Sequence, residues 1–296
     1  MAYLFDEDKI TSVADLLAAL QKDEERLREA LEPKRTSRQH PAGETPLKGN
    51  YSKPPIWYRG LRKISRKLLP TFYRKECKVD IKDEIYLMNL FKQNAHEILA
   101  QIPNSIWEWM FLMRHHKAPS RLLDWTENPL VALYFAVYPR EDPKNPYADD
   151  GVLWCLLPNR LNVVSLKWPN DDYTLPMLSG NPEEVSRGAG ETIDLYLPTT
   201  ISEDLPPGRL PAAGIAPRTN RRMQVQMSVF TIHHVNNKTP VEQALKDGTH
   251  IWRYKIPQEH KEPIYQELGR IGVNRRILFP ELDNVAREAK DLLGGD

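Results

Sequence analysis

The sequence predicts an α+β fold. Three observations carry this. Short runs rich in β-branched and aromatic residues read as strands. Amphipathic or wholly apolar stretches at helical spacing lie between them. The two patterns meet in one central stretch, residues 109 to 138, WMFLMRHHKAPSRLLDWTENPLVALYFAVY. The 296 residues suffice for one large domain or two modest ones. The expected organisation is an N-terminal helix and proline-rich linker over residues 1–50, then a domain over 51–296.

Within residues 1–32, Ile10, Val13, Leu16, Leu17, Leu20 and Leu27 fall near helical spacing, and Thr11 or Ser12 can cap the start. The charged end of this helical arm, KDEERLREALEPKR, predicts a solvated face. Prolines at 33, 41, 46, 54 and 55 predict a linker or surface arm. IWYRG at 56–60 predicts a strand ending at Arg59, where Gly60 lets the backbone turn or a ligand approach closely. A basic stretch, KISRKLLPTFYR, follows. Residues 79–100 predict an amphipathic helix through Ile81, Ile85, Met88, Phe91 and Ile98.

In the central stretch, Trp107, Trp109, Met110, Leu112 and Met113 make a helix apolar on more than one side, and Pro119 marks its end. Residues 120–126 form a short strand. Asn128-Pro129 opens the next helix, with Asn as N-cap and Pro at the first position. Residues 130–138 are apolar nearly all round, so that helix is buried on most faces.

After a turn-rich loop, GVLWCLLP at 151–158 reads as an interior strand. Residues 165–220 are irregular, either a functional loop or an insertion, with Glu191 a candidate site carboxylate. RRMQVQMSVFTIHH at 221–234 reads as a strand, its Met and Val positions apolar and the Gln224, Gln226 and Ser228 face mostly polar. WRYKIP at 252–257 is another strand. KEPIYQEL at 261–268 is a short helix with Gly269 or Gly272 as C-cap, and a last helix stops at Gly294-Gly295.

The totals exclude several classes. Basic and acidic residues number 41 and 40, for a net charge of +1, so bulk charge predicts neither a nucleic-acid binder nor a membrane-surface protein. Cys77 and Cys155 fit a reduced compartment and no disulfide framework. The start MAYLFDEDKI lacks the pattern of a signal peptide, and no apolar run spans a membrane, so the expectation is a soluble cytoplasmic protein. GxxxxGK[ST], GxGxxG, GxSxG and HExxH motifs are missing. In His115-His116 and His233-His234 adjacent rings point in different directions, so neither pair chelates a metal alone, and no metal is expected.

Arg59, the group Arg121, Asp124, Trp125 and Thr126, and the polar positions around Gln226 remain. Arg59 beside Gly60 is a candidate anion fork. Arg121, Asp124 and Thr126, held between buried helices, are either a structural network or the lining of a site. Together they offer anion binding, hydroxyls, amides and aromatic faces, which suits an elongated ligand with phosphates and a flat ring.

WYRG, KLLPTFYR, WEWMFLMRHHKAPSRLLDWTENPLVALYFA, RRMQVQMSVF and LGRIGVNRRILFPELDNVA resemble the successive motifs of the FRG domain family, from about residue 56 to about 287. Relatives usually carry Gln-His-aromatic-Gly where this chain has Arg114, His115, His116 and Lys117. Ser120 stands for Thr and Ser228 for Gly. Lys117 for Gly implies a less constrained loop or a new basic contact. The family's element order is similar to the ADP-ribosyltransferase fold, which implies a split, mixed β-sheet flanked by helices.

By that resemblance the domain binds NAD as a substrate. Arg59, Thr126, Gln226 and Asp124 would carry catalysis. Tyr58, Gly60, Arg121, Trp125, His115 and Tyr134 would line the NAD site. Gln226 stands where many transferases have Glu, so Asp124 or Glu281 would supply the carboxylate; otherwise catalysis is slower or the site only binds. The implied activity is ADP-ribosyl transfer to a nucleic acid or protein, as in a toxin or phage-defence effector, or NAD hydrolysis. The alternative is a non-catalytic nucleotide-sensing or protein-interaction module. The stretch from Arg62 to Arg74 could face a nucleic-acid acceptor.

Overall fold

A computed structural model describes residues 3–5, 8–31, 54–140, 144–169, 175–179, 193–200 and 209–292. Its centre is a seven-stranded sheet flanked by helices. The strands are β1 (Asp8–Lys9), β2 (Trp57–Leu61), β3 (Leu122–Thr126), β4 (Gly151–Leu156), β5 (Ala212–Gly214), β6 (Ser228–Ile232) and β7 (Ile251–Ile256). They run in the order β1-β7-β4-β2-β3-β6-β5. β1 pairs with β7 in parallel, and the other neighbours are antiparallel, so the sheet is mixed and the fold class α+β.

The helices are α1 (Val13–Leu31), α2 (Glu84–Ala95), α3 (Ile106–His115), α4 (Pro129–Val137), α5 (Pro158–Ser165), α6 (Arg221–Val225), α7 (Lys261–Arg270), α8 (Arg275–Leu278) and α9 (Leu282–Leu292). On one face of the sheet, Tyr58, Leu153, Cys155, Trp252, Tyr254 and Ile256 pack against α1, α4 and α7. On the other, Trp57, Leu123, Trp125, Val152, Trp154 and Val229 pack with Leu161 of α5. A third cluster joins α2 and α3 to Leu122, Phe230 and Ile232. Both faces of the central strands are therefore buried, and only specific polar pairings can survive between them. No helix among the described residues is long and apolar enough to cross a membrane.

The N-terminal helix belongs to this core. Ile10, Leu16, Leu20 and Leu27 are buried with α4 and α7. The charged end expected to be solvated buries Asp23, whose carboxylate accepts hydrogen bonds from Trp252 Nε1 at 2.7 Å and from Tyr254 Oη. Burial pushes that carboxyl up even so. Its partners explain the departure: a buried carboxylate is tolerated where donors satisfy it.

The run at 221–234 also departs from expectation. Arg221–Val225 form a short helix, with Asn220 accepting from Met223 N at 2.9 Å as its cap. Only Ser228–Ile232 are strand, and they are buried on both faces. The alternation predicts a strand, but the Asn220 cap on Met223 N starts a helical turn at Arg221 that overrides it. The strand expected through Pro158 stops at Leu156, because Pro158 opens α5. Gly272, at φ 84°, is the C-cap glycine after α7, while Gly269 lies inside the helix. Gly294-Gly295, Glu191 and most of the 33–55 linker lie outside the described residues.

The loop after α3 is a tight helix stop in spite of Lys117. Ala118 N donates to Met113 O at 3.0 Å and Lys117 N to Arg114 O at 3.1 Å, the paired bonds of a Schellman stop. Lys117 sits at φ 64°, the left-handed region that Gly occupies at no steric cost. The loop is thus fully constrained and the lysine carries the strain. Lys117→Gly should raise unfolding free energy by about 0.5–1 kcal/mol, the gain of roughly 1–2 from lost strain being partly offset by a freer unfolded chain. Urea denaturation checks this, and a lower midpoint would mean that the lysine makes a stabilising contact.

Candidate anion-binding site at the sheet seam

β2 and β3 meet weakly. β2 pairs with β4 over five residues and β3 with β6 over five, but β2 and β3 share one partner pair, Tyr58 with Thr126. Beyond it the strands splay. The Arg59 guanidinium enters this gap and donates through Nη1 to the Asp124 main-chain oxygen. A backbone carbonyl left without a ladder partner is thereby satisfied by a side chain. Arg59 Nε is buried and makes no hydrogen bond.

Asp124 is the carboxylate of the seam. Its Oδ2 accepts from Arg114 Nη2 at 2.5 Å and Nε at 3.1 Å and lies 3.9 Å from Arg59 Nη1. Burial works against its ionisation, but Arg114 and Arg59 outweigh that and hold the carboxyl below the usual range. The same pairing raises Arg114. Arg114 Nη1 also reaches Thr71 Oγ1 at 3.5 Å, which ties the end of α3 to the 71–73 turn. Arg74 lies just beyond, its Nε donating to Leu69 O at 2.9 Å.

Burial lowers Arg59 to about 9, with Asp124 opposing and Arg74, Arg114 and Arg66 adding to the fall. Burial likewise lowers Arg74 to about 10, with help from Arg66 and Arg114. Arg59, Arg74 and Arg114 all remain charged near neutral pH. Three guanidinium groups near one carboxylate leave an excess of positive charge, which is the electrostatic signature of an anion site.

The other residues singled out from sequence divide. Arg121 is fully buried. It donates from Nε to both Glu84 oxygens at 2.9 and 2.8 Å, from Nη1 to His233 O and from Nη2 to Tyr196 O, each at 2.7 Å. It is a structural anchor rather than a ligand contact. The Trp125 indole is buried in the core and donates to Thr231 Oγ1 at 3.0 Å, so it offers no stacking face. Thr126 Oγ1 donates to Gln226 O at 2.6 Å and accepts from Asn128 N at 3.0 Å, which fixes the turn into α4.

Gln226 caps the end of α6 instead of lying on a strand, and its Nε2 donates to Leu278 O at 2.8 Å. Gly60 faces α4: a Cβ there would lie 1.8 Å from Ala132 O, so the close approach is by a helix and not by a ligand. Tyr58 is buried against α4, and Tyr134, inside α4, packs among Phe135, Tyr138 and Tyr265.

His115 is half-buried, one residue beyond Arg114. Burial lowers its pKa, with Arg222 nearby adding to the effect and Glu281 opposing it. Glu281 accepts from Arg222 Nη1 at 3.3 Å and from Asn284 Nδ2 at 3.1 Å, at the start of α9. The seam therefore unites Arg59 and Asp124 of the expected set, with His115 at its margin. Sequence reasoning gave Arg114 no site role and saw Arg66 and Arg74 only as part of a basic stretch. The signal for Arg66 and Arg74 was the density of basic residues close to Arg59 along the chain.

Residues 54–145 match the family model described as the FRG domain. That span contains β2, α2, α3, β3 and α4, hence the whole seam. The motif strings beyond residue 145 fall outside it. No curated protein and no solved structure matches the chain.

Proposed function

The chain carries an FRG domain that builds the seam, and from this premise we propose that the seam is the NAD site of an ADP-ribosyltransferase-like enzyme. The supporting observation is Arg59 held in the strand gap with Asp124 and Arg114, its Nε left without a partner. A diphosphate suits that donor set, since fixed guanidinium forks bind phosphate oxygens bidentately. NAD supplies a ribose whose bond to nicotinamide breaks with positive charge developing at the ribose.

Asp124 is the carboxylate at hand to stabilise that charge. Kept ionised by two arginines, it is a poor proton acceptor but a steady negative charge. Gln226 and Thr126 support the turn into α4 through their mutual bond and the bond to Leu278 O.

A second reading, a nucleotide-binding module without turnover, draws on two facts: the Gln226 amide is already bonded to Leu278 O, and Asp124 is already paired with Arg114. Incubation with labelled NAD and DNA, RNA or protein acceptors separates the two. The enzyme reading expects nicotinamide release and labelled acceptor or free ADP-ribose. NAD binding without release selects the module. Arg59→Ala should weaken NAD binding at least about tenfold, the loss of one charge-assisted fork being worth roughly 1.5–3 kcal/mol. Unchanged NAD affinity in that variant would end both readings of this residue.

A further inference from the structure

Residues 62–78 carry seven Lys or Arg against one Glu, in a chain whose net charge is +1. The fold gives part of that charge a fixed arrangement. Arg74 lines a concave cleft of about 310 Å3 together with Tyr73, Lys75, Asp80 and Lys238. Lys238 comes from the connection between β6 and β7. Tyr73 Oη fastens the two segments by donating to His234 O at 2.8 Å and to Val235 O at 3.2 Å.

Arg74 is itself held by Leu69 O, and the Arg114 bond to Thr71 links this turn to the seam. Asp80 is a carboxylate on the lining, and its Oδ1 accepts from Lys82 N at 3.0 Å. The cations thus run from the cleft to the seam on a braced surface rather than on a loose charged tail.

We propose that the cleft forms a track for the phosphodiester backbone of a single-stranded nucleic acid, passing Lys238, Lys75, Arg74 and Arg66 and leading to the seam without occupying Arg59 and Arg114. The cleft is small and concave, so a backbone enters it one strand at a time. Evenly spaced phosphates match a row of cations, whereas bulk charge would attract any polyanion without register. A membrane surface fits poorly, because the large exposed apolar side chains such as Tyr86 and Ile98 lie outside the track. The track rests on the cleft and its cations, not on NAD chemistry. It names the acceptor class that a transferase at the seam would be given.

Fluorescence anisotropy of labelled 12-nucleotide RNA and DNA, measured with the whole chain over a salt series, tests this. Neutralising about four phosphates predicts a log–log salt slope of about −3. Lys75 and Lys238 are exposed. Lys75→Glu with Lys238→Glu should lower affinity at least about tenfold and flatten the slope by one to two, with an unchanged melting temperature. The same double reversal at Lys22 and Lys246, exposed and not part of the cleft lining, should change neither.

Failure to bind either oligonucleotide overturns the proposal. So does binding that ignores the Lys75 and Lys238 reversal, or binding only to vesicles containing phosphatidylserine. Nicotinamide release without any acceptor reports on the NAD reading alone, and anisotropy reports on the track alone, so each can fail without the other.

Discussion

Gly60→Ala should abolish folding or remove about 3 kcal/mol or more of stability. The added Cβ would lie 1.8 Å from Ala132 O, 2.6 Å from Ala136 N and 2.9 Å from Ala132 C. All three are backbone atoms of α4, so no side chain can swing aside. The helix would have to withdraw by more than an ångström. Its other sides are packed: Val131, Leu133, Tyr134 and Val137 are buried among α1, α7 and the sheet. Overpacking of this kind costs roughly 1–3 kcal/mol where neighbours yield, and more where backbone must move.

Ala132 and Ala136 show the same requirement from the helix side, since small residues there let the two backbones meet. Urea denaturation followed by circular dichroism measures the effect. A loss under about 1 kcal/mol would show that α4 can retreat. Near-wild-type stability with loss of NAD binding would instead return Gly60 to the ligand-facing role that its sequence position suggested.

The Gly60 case shows what was legible in the sequence and what was not. A glycine after a strand arginine announces a close approach, but not the identity of what approaches. The unit of β3 and α4 was readable in full, because Asn128, Pro129 and the apolar run act locally: the Asn128 side chain accepts from Leu130 N at 2.9 Å, as an N-cap should. Arg59 and Asp124 were readable as polar groups in an apolar setting, which must have partners.

The partners themselves were not readable. Arg114 reaches Asp124 across ten residues, and Arg121 reaches Glu84 across 37. Alternation assigns neighbours to opposite faces but says nothing of which face meets which helix. Gln226 was misplaced for a different reason: the alternation around it pointed to a strand, and the Asn220 cap that turns Arg221–Val225 into a helix was not weighed against it.

Arg121→Leu should cost about 3–5 kcal/mol at neutral pH, the usual penalty for breaking a buried ion pair by removing one partner. Four bonds from one guanidinium tie α2, the 193–196 turn and the end of β6 to β3. Leucine keeps some of the volume but leaves two carbonyls without donors and the Glu84 carboxylate without a counter-charge. Burial already pushes the Glu84 carboxyl up, and Arg121 is what opposes that rise.

Without Arg121 the folded-state pKa of Glu84 climbs further above its unfolded value. The penalty is then largest where Glu84 must ionise and shrinks as pH falls through that raised pKa and the carboxyl takes a proton. The deficit of the variant against wild type should therefore be smaller at pH 5 than at pH 7.5. Arg121→Leu combined with Glu84→Leu should recover much of the loss, because two apolar groups replace a pair instead of stranding one charge. Denaturant melts of the two single variants and the double at both pH values complete the cycle. Additive losses with no pH dependence would mean that Arg121 and Glu84 are not coupled, and would restore Arg121 as a candidate ligand contact.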